Sequence, residues 1–114
     1  MRKQQIENAA YEVATQVRVV EDTIDSALAE IAELQARMLR ARSASGVGVS
    51  TGHAALEQLA AALHGLVAAR GGMANCHAAL KDTKEFVPGL RTVSFGDGDD
   101  CPPPQALTEL RIVA

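Results

Sequence analysis

From residue 1 to residue 42 the chain contains neither glycine nor proline, and along that stretch its apolar side chains recur in alternating steps of four and three. Ile6, Ala10, Val13, Val17, Val20, Ile24, Ala27, Ile31, Leu34, Met38 and Ala41 all fall on this stripe, with the charges lying almost wholly between them. Such spacing keeps one face of a helix turned toward a partner helix, as in a coiled coil. Ala10, Val17, Ile24, Ile31 and Met38 then take position a, and Ile6, Val13, Val20, Ala27, Leu34 and Ala41 take position d. The pattern predicts one helix over about residues 4–42, roughly 55 Å long at the usual helical rise. A rod like this is not stable alone in water, so its stripe must be covered. Leu28 and Leu39 sit off the stripe and widen it, which suits a bundle better than a two-stranded zipper. Arg37, Arg40 and Arg42 fall where they favour the negative end of the helix dipole.

Residues 43–52 are small and glycine-bearing, and read as a helix–helix connection. Gly46 or Gly48 can supply a left-handed residue ending the first helix, and Ser50 or Thr51 can cap the second. These glycines do not make a phosphate-binding loop, because no Lys-Ser/Thr pair closes it and no strand precedes it.

A second helical pattern covers about residues 53–86. Leu56, Leu59, Leu63, Leu66, Met73, Cys76, Leu80 and Val87 form its expected buried line. Gly71-Gly72 is where it can kink or split, and Pro88-Gly89 should end it. Between Ala54 and Leu80 the only charged residues are Glu57 and Arg70, and Ala is the commonest residue among the others. A helix with one face in water ordinarily carries more charge on that face. One hairpin cannot bury both sides of such a helix; a second copy of the hairpin can, giving a four-helix bundle about a two-fold axis.

The remainder, 87–114, is expected to be an extended or β tail. Residues 90–95 and 107–113 look like short strands by alternation and β-branching, joined by an acidic, proline-rich loop over 96–105. Residues 106–112 fit a turn or two of helix equally well. Asp97, Asp99 and Asp100 invite calcium, but Cys101, Pro102 and Thr108 stand where an EF-hand loop needs a ligand, a glycine and a glutamate.

Chemistry is sparsely represented. Tyr11, Phe86 and Phe95 are the aromatic residues, there is no Trp, and the net charge is −3. The chain therefore lacks both the basic stripe and the stacking platforms of nucleic-acid binders. His53 and His64 share a helical face but stand about 16 Å apart along it, too far to share a metal. Cys76 and His77 are neighbours and point about 100° apart on a helix, which defeats a nucleophile–base pair. Cys76 reads as a buried thiol and His77 as a surface imidazole. No helical Glu-x-x-His arrangement suggests a di-iron bundle. Two cysteines are too few for a disulfide framework, and free thiols are expected unless the tail folds back to bridge Cys76 to Cys101. No signal-length apolar run follows the start, and the most apolar stretch, residues 59–69, is far short of the roughly 20 residues a spanning helix needs.

These observations set the expectations. The fold is all-α: a long antiparallel hairpin over residues 1–86 with a short tail, forming a four-helix bundle as a homodimer. The oligomer seam is Ile6, Val13, Val17, Val20, Ile24, Ile31, Leu34 and Met38 with Leu56, Leu59, Leu63 and Leu66. Glu21, Asp22, Asp25, Glu30 and Glu33 have no basic residue among them and read as a solvated outer face or, alternatively, as a docking surface for a basic protein partner. The protein is expected to be cytoplasmic and non-enzymatic, with no cofactor, metal, nucleic acid or membrane, and to serve as a structural or adaptor component. Short Ala- and Arg-rich chains with a loose tail also resemble small bacterial or prophage-encoded proteins. A chaperone or secretion accessory holding an amphipathic client on its second helix is the alternative.

Overall fold

The computed structural model describes residues 2–90. Among them are two helices, α1 (Arg2–Ser45) and α2 (His53–Lys84), and no strand. This is the all-helical pair that a helical hairpin calls for. The strands expected over 90–95 and 107–113, the loop between them and Cys101 lie outside the described residues, Leu90 excepted.

α1 runs three residues past its expected end, because the first residue able to stop it cheaply is Gly46. Gly46 takes φ = 69° and donates its N–H to the Ser43 carbonyl at 3.2 Å, closing the last turn. The extension leaves Arg42 as the basic residue of the last turn. Its Nη1 donates to the Val47 carbonyl at 3.2 Å and so also fastens the connection. At the start of α2 the expected cap is corrected. The Gly52 carbonyl accepts from the Leu56 N–H at 3.2 Å, so Gly52, with φ = 80°, stands at the cap position rather than Ser50 or Thr51.

α2 continues unbroken through Gly71-Gly72 and stops at Lys84, two residues earlier than the sequence suggests. Pro88 disfavours a helical conformation at Val87, and the bonds tighten first: Glu85, Phe86 and Val87 each donate to the carbonyl three residues back. A Cβ at Gly65, Gly71 or Gly72 would meet nothing within 4 Å. Gly71→Ala is therefore expected to stabilise the protein by about 0.5–1 kcal/mol, read from urea denaturation, since the glycine carries backbone entropy and no contact uses its bareness.

The described residues fall into two compact units. In residues 15–78 the helices run antiparallel: Glu21 meets His77, Asp25 meets Arg70, and Met38 and Leu56 line one groove beside the connection. The other unit joins residues 2–14 to residues 79–90. Its chain leaves α2 through a turn in which the Leu90 N–H donates to the Val87 carbonyl at 3.2 Å. Pro88 and Gly89, the latter at φ = 87°, occupy the two central positions, as a type II turn requires. Lys3 lays its aliphatic stem beside Gly89, within 3.7 Å of where a Cβ would stand, and Leu90 is buried.

Candidate functional site

The apolar seam is where the two halves of the hairpin meet, and its sequence spacing can be compared with burial. On α1, Ile6, Ala10, Val17, Val20, Ile24, Ala27, Leu28, Ile31 and Met38 are half-buried, while Val13 and Leu34 are about half exposed. On α2, Leu56, Leu59, Leu63, Leu66 and Met73 are half-buried. Within the chain, ten of the twelve residues expected to form the oligomer seam are half-buried, and Val13 and Leu34 are exposed.

Further along α2 the expectation is overturned. Cys76 is exposed and His77 is buried; Leu80 is exposed and Lys81 half-buried. The steps from Leu66 run four to Arg70, three to Met73 and four to His77, so the stripe keeps its period and takes polar residues at two stations. Following apolar character from Met73 to Cys76 leaves that phase. Strict spacing alone would have found both Arg70 and His77.

Each of those residues meets a carboxylate of α1. His77 Nδ1 lies 3.4 Å from Glu21 Oε2, with the imidazole almost wholly covered and the carboxylate about a third exposed. Arg70 Nε donates to Asp25 Oδ1 at 2.7 Å on the open side of the seam. That hydrogen bond, then the charge of Asp25, raises the Arg70 pKa above its ordinary value. A raised basic pKa gives a contribution present below the unfolded value and lost only above it, so Arg70 keeps its charge at every working pH. The pair is solvent-exposed and worth no more than about 1 kcal/mol.

The acidic residues of α1 are therefore not one unpaired face. Glu21 and Asp25 are turned to α2, and Glu33 accepts from Arg37 at 3.0 Å with Arg40 at 3.9 Å. Asp22 and Glu30 are exposed. Asp22→Asn is expected to move the denaturation midpoint by less than about 0.5 kcal/mol of stability, as an exposed substitution touching no buried group does.

The side of α2 opposite the Leu stripe is built of small residues. Gln58, Ala61, Gly65, Ala68, Gly72 and Asn75 recur there at steps of three and four, and all are exposed. Glu57, one of the two charges on this stretch of α2, is held by His53 at 3.0 Å. Large apolar side chains are left open as well: Val19, Leu39 and Val67 are each about half exposed, and Val49 is 71% exposed. Beside the connection a groove of about 330 Å³ is lined by Met38, Leu39, Val47, Val49 and Leu56, with Arg42 and His53 also on its wall.

Among the described residues no group of three or more His, Cys, Asp or Glu could hold a metal, and no helix is long and apolar enough to cross a membrane. No family model, curated protein or solved structure matches the chain.

Proposed function

We propose that this chain is a non-enzymatic structural or adaptor protein that acts by helix-mediated self-association, two hairpins completing a four-helix bundle about a two-fold axis. One observation carries the reading: among the described residues only His77 and Leu90 are buried, so a sequence that is 47% hydrophobic leaves its seam side chains half-covered. A helix stripe in that state has not collected the roughly 25 cal/mol per Å² available from full burial, and a second copy supplies the missing surface.

The outer face of α2, turned away from the seam, is a second surface through which copies can associate, and a contact there leaves the half-covered seam as it is. Its small residues let a second backbone approach closely, and the row is self-complementary when run antiparallel to itself. Gln58 then faces Asn75 of the second copy, Ala61 faces Gly72, and Gly65 faces Ala68, with no charge brought against like charge. The glycines find a use there that the single chain does not give them.

Light scattering of the reduced protein over a concentration series tests the proposal. A mass of twice 12.0 kDa, dissociating only on dilution, is the expected result. A fully helical monomer at every concentration would overturn it and bring forward the client-binding accessory reading, in which α2 is covered by an amphipathic segment of another protein.

A further inference from the structure

We infer that Glu21–His77 and Asp25–Arg70 act together as a register lock, fixing which turns of α1 pair with which turns of α2. The apolar stripes cannot do this alone. A stripe of Val, Ile and Leu at heptad spacing falls back onto itself when one helix slides about seven residues along the other. Displacing the register by a heptad moves the turn by only about one helical turn, so the connection opposes the slide only through the positive φ that Gly46 and Gly52 take at their present places and the Arg42 bond to the Val47 carbonyl.

The polar stations do not tolerate it. In the observed register the almost wholly covered imidazole of His77 has Glu21 beside it, and Arg70 has Asp25. A slide one way would set His77 against Leu28 and Arg70 against Ala32. A slide the other way would set His77 against Ala14 and Arg70 against Arg18, a like charge. Each displaced register covers a polar ring with no acid beside it and separates the second pair too. The lock thus selects by penalising alternatives, and it adds little stability to the register it selects. This inference concerns pairing within the chain and holds whether or not a dimer forms.

The test is the distance between two spin labels offset along the paired helices, Ala32→Cys and Ala74→Cys, in a full chain carrying Cys76→Ser and Cys101→Ser. Labelled protein is diluted into unlabelled protein so that only distances within one chain are read. The parent should give one narrow distance. His77→Leu with Arg70→Leu should keep its helicity and give two or more distances, because a heptad slide is a displacement of about 10 Å along the axis. A single narrow distance in that variant overturns the inference. So does loss of helicity, which would make the polar pairs a source of stability instead of register. Asp25→Arg alone should broaden the distribution, and Asp25→Arg with Arg70→Asp should narrow it again; failure of that rescue also counts against the lock.

Discussion

Ile24→Asp is expected to destabilise the protein by about 3 kcal/mol or more, enough to remove most of the helical circular-dichroism signal of a marginally stable small domain. Ile24 is half-buried on α1 between the two acids that engage α2, Glu21 and Asp25. The substitution therefore does three unfavourable things at once. It strips an apolar side chain from the seam, worth about 1.5–3 kcal/mol when fully buried. It places a carboxylate beside Asp25, which already takes the Arg70 guanidinium. It also adds a fourth negative charge within one turn of Glu21, Asp22 and Asp25. Ile31→Asp should act in the same direction. Wild-type helicity and an unchanged melting temperature in either variant would show that the stripe is not what the helices bury.

Ala68→Glu is expected to raise the dimer dissociation constant at least about 100-fold, as burying an unpaired charge at a contact costs several kcal/mol. Ala68 is exposed in the single chain, in the middle of the small-residue row of α2, so the substitution leaves the α1–α2 seam untouched. In an antiparallel pairing through that row the residue stands near the two-fold axis, where the new carboxylate also meets its own copy. Sedimentation or light scattering should then read the monomer mass at concentrations where the parent is dimeric. Glu30→Lys, at an exposed position of α1, serves as the control and should leave the mass unchanged. A dimer that survives Ala68→Glu would remove the outer face of α2 from the interface.

Much of this was readable from residue order because helical periodicity is a local property. The absence of glycine and proline before residue 43 and the run of apolar residues in steps of four and three fix α1, and the bare glycines fix the connection within a few residues. The same spacing placed Leu56, Leu59, Leu63 and Leu66 correctly on the covered face. Where it failed, character was followed in place of phase. Cys76 is the more apolar of two neighbours, yet His77 keeps the step of four from Met73 and is the one enclosed.

Two helices, the turn between them and one apolar stripe on each follow from backbone propensity and side-chain order within a few turns. What the polar residues do depends on contacts between the helices. His77 and Glu21 are 56 positions apart and Arg70 and Asp25 are 45 apart, and nothing local tells an acid that faces water from one that faces a partner across the seam. That choice depends on the alignment of two antiparallel helices, and alignment is a property of the pair.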